Sequence, residues 1–330
     1  MRVLVTGGAG YIGSIFTREL LNKGYNVTVM DTMFFGEEPL AEISDQIQIL
    51  KKDIRNTTLK DFENVDAVVD FAALSNDPSG ELDNKLTYSI NQEGRTRVAK
   101  LAKEAGVKRY VAPSSCAIYG STNELANELS PVNPLTAYSK ANYAWENAIL
   151  PLADNKYCVV ILRQATVYGL SPKIRFDLLV NNFVQQVFLT QKIRIKGDGK
   201  EARPFIHIKD DCNAIISALE ADSDLINKQI FNVGSNDQNV KVRQLIDLVE
   251  ELLNIKISKE FGEWVDKRNY IVSFDKIAKV LKFKRQYNIK YGIKEIYDAL
   301  NNGSLDPYTP TSITVEWYKK LIAEGDLKLI

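Results

Sequence analysis

The stretch "RVLVTGGAGYIGSIFTRELLNKG", residues 2–24, decides the fold. Residues 2–6 are a short apolar, β-branched run that stops at glycines, which is the pattern of a strand. From Ile12 the apolar positions recur at helical spacing up to a stop at Gly24. Between the two lie Gly7, Gly10 and Gly13 in G-x-x-G-x-x-G spacing. Glycine permits a tight turn and a close approach of backbone to ligand, and the free N–H groups of a helix start attract an anion. The stretch predicts a strand, a turn and a helix that together seat a pyrophosphate.

Working outward, strand-like runs recur at 26–31, 47–53, 66–73, 109–115 and 157–163, separated by segments that can hold helices. That alternation predicts an α/β fold with a doubly wound parallel sheet covered on both faces. Asp31 ends the second strand, where a carboxylate accepts hydrogen bonds from the adenosine ribose hydroxyls and repels a 2′-phosphate. NAD is therefore expected rather than NADP. Asp53 and Ile54 follow the third strand and suit the adenine edge, although a turn role for Asp53 is also open.

After residue 168 the alternation loosens, and "VRQLIDLVEELLN" and "RFDLLVNNFVQQVFL" read as amphipathic helices with short strands such as "QIFNVG" between them. Two parts are expected: a cofactor domain over 1–168 and a smaller mixed α/β lobe over 169–330, with some segments returning to the first. One more helix is expected after Pro310.

Composition narrows the chemistry. Lys plus Arg and Asp plus Glu number 42 each in 330 residues, so a nucleic-acid footprint is not expected and any phosphate site must be local. A single histidine, His207, argues against a metal site and a His-based triad. Cys116, Cys158 and Cys212 show no paired spacing and read as buried thiols of a reducing compartment. No apolar run approaches the length of a signal core or membrane span, so a soluble, cytoplasmic protein is expected.

With "FAAL", "SSCAIYG", "AYSKANYAWE", "LRQATVYG" and "RPFIHIKD" in this order, the chain resembles the extended short-chain dehydrogenase/reductases. Within them it is similar to the nucleotide-sugar epimerase/dehydratase group typified by UDP-glucose 4-epimerase. The resemblance implies a Rossmann domain holding NAD, a C-terminal lobe gripping a nucleoside-diphosphate sugar, and a homodimer formed through helices around 82–105 and 137–153. It implies NAD contacts from Gly7, Gly10, Tyr11, Ile12, Gly13, Asp31, Asp53, Ile54, Ala72 and Ala73. Ser115 matches the residue that hydrogen-bonds the sugar 4-hydroxyl, and Tyr138 the tyrosine that takes its proton while hydride leaves C4. Asn76, Arg175, Arg203 and Arg268 are the candidate substrate contacts, the arginines because a guanidinium can hold a diphosphate bidentately.

One position departs from the pattern. The family motif is Tyr-x-x-x-Lys, but four residues after Tyr138 stands Asn142, and Glu146 fixes that register. Lys140, at i+2, lies on another side of a helix. Without the cation, a tyrosine of ordinary pKa near 10 is only about one part in a thousand phenolate near pH 7. Impaired or specialised catalysis is expected, with a silent NAD-binding module as the alternative, and Asn142→Lys is expected to raise the rate. Dehydratases of the group carry an Asp-Glu pair where this chain has Cys116 and Ala117, so 4-epimerase or 4-oxidoreductase chemistry is the expectation.

Overall fold

The computed structural model describes residues 1–195, 197–263 and 268–329. Seven parallel strands form the central sheet: β1 (Arg2–Thr6), β2 (Asn26–Asp31), β3 (Gln48–Lys51), β4 (Ala67–Asp70), β5 (Arg109–Ser115), β6 (Cys158–Gln164) and β7 (Gln229–Val233). Their order is β3-β2-β1-β4-β5-β6-β7. Val3 sits opposite Val27 on one side and Ala67 on the other. Because side chains alternate along a strand, Val3 and Val5 pack into one hydrophobic layer and Leu4 into the other. Both faces are thus covered, which is why these strands read as nearly unbroken apolar runs.

The order reverses beside β1, and the crevice outside the carboxyl ends of β1 and β4 is where such sheets bind ligands. Helix α1 (Tyr11–Asn22) starts there. Residues 84–104 form helical turns at Asn84–Tyr88, a π-helical turn at Ser89–Gly94 and then α2 (Arg95–Glu104). Helix α3 (Ala137–Ile149) carries Tyr138. Its N-cap Thr136 accepts a hydrogen bond from the Ser139 N–H, and Ala137 N–H donates to Glu81.

The second half holds a three-stranded sheet of residues 239–241, 202–207 and 166–168, and the strand pair 192–195 with 258–261. The strand expected from "QIFNVG" in that lobe is instead β7, at the edge of the main sheet beside β6. Its apolar residues Phe231 and Val233 are fully buried there, so burial on the large sheet decided its place. The expected helix after Pro310 is α4 (Thr314–Glu324), which packs back against the first half.

Candidate active site

At the glycine turn the geometry explains each glycine. Gly7 has φ +68°, and a Cβ there would lie 2.8 Å from the Ala72 backbone nitrogen. A Cβ on Gly13 would lie 2.2 Å from the Gly7 carbonyl oxygen, so α1 can start this close to β1 only without a side chain. Asp31 accepts hydrogen bonds from Ala9 N–H (3.0 Å) and Met33 N–H (2.9 Å) and lines the cleft. Burial raises its pKa, and those two donors oppose the rise. Asp53 caps the turn after β3 through Arg55 N–H and pairs with the Arg55 guanidinium at 2.7 Å, while still facing the cleft. The turn role of Asp53 is thus observed, and its place on the cleft wall is compatible with the cofactor role.

Gly7, Gly10, Tyr11, Ile12, Gly13, Asp31, Asp53, Ile54, Ala72 and Ala73 all line one cleft. Tyr11 also has a fastening role: its hydroxyl donates to the Gly169 carbonyl (2.7 Å) and tethers the glycine turn to the second half. Tyr138 and Arg175 line the same cleft. A narrow glycine cradle, an acid at the ribose end and buried cations between them fit a dinucleotide.

Tyr138 projects from the first turn of α3, which rests on Gly80: a Cβ on Gly80 would meet the Tyr138 Cβ at 2.7 Å. Burial, then Asp77, raises the phenol pKa, whereas Arg95, Asn142 and Arg175 lower it. Asn142 is buried one turn later, and its amide Nδ2 makes no hydrogen bond within the protein. Its Oδ1 accepts from Arg95 Nη1 at 3.2 Å. Lys140 is exposed, as its i+2 position requires. Glu146, which fixed the register, accepts from Ser114 and pairs with Arg163 at 2.8 Å, binding α3 to β5 and β6.

Other expected residues lie around the cleft and do not line it. Ser115 caps the turn after β5, accepting from Ala117 N–H at 3.1 Å, and its neighbour Ser114 is the one on the cleft wall. Asn76 has φ +80°, accepts from Ser79 N–H and donates to Asp177, which in turn holds Arg175 at 2.8 Å. Arg268 forms an ion pair with Asp77, beside the start of α3. Arg203 donates to the Ala202 carbonyl and lies 5.2 Å from the Tyr270 ring centroid; Arg268 also acts electrostatically on that phenol. Cys116 is buried, donates to the Arg163 carbonyl, and has its thiol pKa pushed up by burial. His207 caps the helix after the strand 202–207, accepting from Lys209 N–H.

Among the cleft residues that escaped the sequence reading are Arg95, Lys173, Tyr318 and Gln164. Lys173 donates to the Thr311 carbonyl and Thr314 hydroxyl, and burial, then Arg175, brings its pKa down to about 7. Tyr318 comes from α4, far away in sequence. Arg95 had a readable signal: it shares the 95, 98, 99, 102 spacing of a buried helix face with Val98, Ala99 and Ala102. A charge on such a face needs a partner.

Comparison with known proteins gives the same picture. The chain is 31% identical to a UDP-glucose 4-epimerase from Lactobacillus helveticus, over 71% of this chain and 77% of that one. It is 26% identical to a UDP-glucuronate 4-epimerase from Thermodesulfobacterium geofontis, over 88% and 93% of the two chains. The fold matches a crystal structure of a Bacillus cereus UDP-glucuronic acid 4-epimerase in complex with UDP-glucuronic acid and NAD. There the TM-score is 0.84 at 24% identity, covering 92% of this chain and 99% of that one. No helix among the described residues is long and apolar enough to cross a membrane. The sequence model of the NAD dependent epimerase/dehydratase family matches residues 3–234, and the chain belongs to that family.

Proposed function

We propose that this member of the family acts at C4 of a nucleoside-diphosphate hexose, as a 4-epimerase or 4-oxidoreductase. The observation that carries the reading is the position of Tyr138 on the wall of the glycine-turn cleft, with a buried thiol, Cys116, and an untitratable Ala117 where a dehydratase carries its acid-base pair. NAD, held by the residues of the glycine-turn cleft, would supply acceptance and return of hydride. Tyr138 takes the proton of the sugar 4-hydroxyl as the C4 hydrogen leaves with its electron pair, and a 4-ketone results. Ser115, at the end of β5, is the residue proposed to hold the 4-hydroxyl, and Ser114 is held in the wall behind it by Glu146. Return of the proton from Tyr138 and of hydride to the opposite face of the ketone inverts C4.

Arg203 and Arg268, which converge on Tyr270, are the proposed diphosphate ligands. Arg175 and Asn76, linked through Asp177, are proposed to shape the junction of cofactor and sugar. Homodimerisation through residues 82–105 and 137–153 is proposed from the family resemblance, and a cytoplasmic location from the cysteine pattern. Light scattering tests the dimer.

Proton NMR of a panel of UDP-, GDP-, dTDP- and CDP-hexoses with the protein and NAD tests the function. A C4 epimer without net NADH identifies an epimerase; a 4-keto product with NADH identifies an oxidoreductase. A bound but unchanged sugar across the panel defeats the reading and leaves a binding module.

A further inference from the structure

The catalytic helix lacks the lysine that would favour phenolate, yet the cleft beside it is not without positive charge. Arg95 is 2% exposed, a guanidinium taken almost wholly out of water. Its carbon lies 3.3 Å from the Trp145 ring centroid, against the inner face of α3. Nη2 donates to the carbonyls of Asp70 (2.6 Å) and Pro113 (2.9 Å), at the carboxyl ends of β4 and β5. Nε meets the Asp70 carboxylate at 3.3 Å. Nη1 is left for the Asn142 Oδ1, at 3.2 Å.

Each contact does something for Tyr138. The two carbonyls and the indole fix the guanidinium plane, and a planar fork held this way loses little freedom on making its remaining bond. Accepting from Arg95 fixes the orientation of the Asn142 amide: Oδ1 is turned to the guanidinium, so Nδ2, which has no partner within the protein, is turned the other way. A guanidinium at the oxygen end of an amide polarises it and strengthens donation from the nitrogen end. The π-helical turn Ser89–Gly94 immediately precedes Arg95 and shifts the face that α2 presents to α3.

We propose that Arg95 is a positioning residue that restores, from the neighbouring helix and through Asn142, the positive charge Tyr138 lacks on its own helix. The pair Arg95 and Asn142 thus replaces one lysine: the amide takes its place in space and the guanidinium supplies its charge. This rests on the reading of Tyr138 as the base. Asp70 offsets part of this charge but also accepts from the hydroxyls of Thr6 and Tyr110, and with Asp70 in place Arg95 still acts to lower the Tyr138 pKa. The other charges acting on the phenol are Asp77, itself paired with Arg268, and Arg175, paired with Asp177.

The test needs no substrate. Tyrosinate absorbance is titrated in the NAD-loaded and NAD-free protein, and the Tyr138→Phe protein is subtracted to isolate this phenol. Arg95→Gln is expected to raise the Tyr138 pKa by about one unit or more, a tenfold loss of phenolate at neutral pH, with and without NAD. Arg95→Lys keeps most of the effect, and Asn142→Leu, which cuts the relay but leaves the charge, gives an intermediate rise. Because Arg95→Gln alone strands Asp70, the pair Asp70→Asn with Arg95→Gln is made as well; it removes both charges and keeps the shapes. If the folded double variant titrates Tyr138 like the parent, Arg95 only braces the fold and the proposal fails. If Tyr138 titrates as proposed but no sugar reacts in the NMR panel, the functional reading fails and the electrostatic one stands.

Discussion

Replacing Asn142 by lysine would rebuild the familiar motif, and the motif alone predicts a faster enzyme. The buried guanidinium sets a cost in stability against that gain. In the parent, Arg95 Nη1 donates to the Asn142 oxygen at 3.2 Å. An ammonium on residue 142 would lie about 4 Å from the guanidinium, where two like charges repel by about 4 kcal/mol at an effective dielectric near 20. Asn142 is 1% exposed, so water cannot screen the pair, and Asp70 is already engaged by Arg95. A penalty of that size corresponds to a lysine pKa depressed by roughly three units, to near 7.5. The folded pKa then lies below the unfolded one, so the variant's deficit is small above about pH 10 and grows as pH falls to about 7. Thermal unfolding of Asn142→Lys, Arg95→Gln and the double variant across that range measures it. The single lysine variant should melt well below the parent at pH 7, and Arg95→Gln should relieve most of the difference. A lysine variant as stable as the parent at pH 7, whether or not Arg95 is present, would refute the reasoning and with it the claim that the two sites share one cation.

Three further outcomes follow from the cleft and its surroundings. Gly13→Ala forces a methyl to 2.2 Å from the Gly7 oxygen and 2.8 Å from the Gly8 Cα. It should cost about 1–3 kcal/mol and weaken NAD at least tenfold by calorimetry, while Gly10→Ala, whose nearest contact is 3.1 Å, should be milder; equal effects would be the contrary result. Burial pushes the Asp211 pKa up to about 8, with Gln164 opposing the rise. That raised value means its contribution is complete below about pH 4 and is lost as pH climbs to 8, at up to about 1.4 kcal/mol per unit, so Asp211→Asn should flatten the fall in melting temperature between about pH 4 and 8. Trp317→Ala removes the indole that donates to the Phe34 carbonyl at 2.6 Å and should speed NAD dissociation several-fold in stopped flow; an unchanged rate would mean that α4 does not hold the cleft closed.

Much of this was readable because local signals agreed with the global fold. The glycines, Asp31 and the first six strands of the sheet announce themselves through spacing and apolar runs, and all ten expected cofactor residues meet in one cleft. β7 was grouped with the second lobe because a five-residue strand carries no mark of its partner; only β6, some sixty-five residues earlier, decides it. Ser115 and Ser114 alternate along β5, so a strand reading alone does not tell which of them faces the ligand. Arg95 was legible in retrospect as a charge on an apolar helix face, but its meaning required seeing Asn142 across the helix interface. Tyr318 had no local signal of its place on the cleft, since that place is set by α4 folding back onto the first half.

That fold-back has a consequence for how the protein is made. Residues 2–13 lay down the glycine turn early in synthesis, while the wall supplied by Tyr318 and the brace between Lys173 and Thr314 arrive some three hundred residues later. A growing chain can thus present the floor of the cleft long before its cover exists, and the Phe34 to Trp317 bond spans 283 residues of sequence. Cofactor captured during translation would meet an open trough, whereas in the finished protein Tyr318 of α4 completes the cleft wall. Loading on the ribosome and exchange afterwards are therefore different kinetic problems, because the wall from α4 is absent in one case and in place in the other.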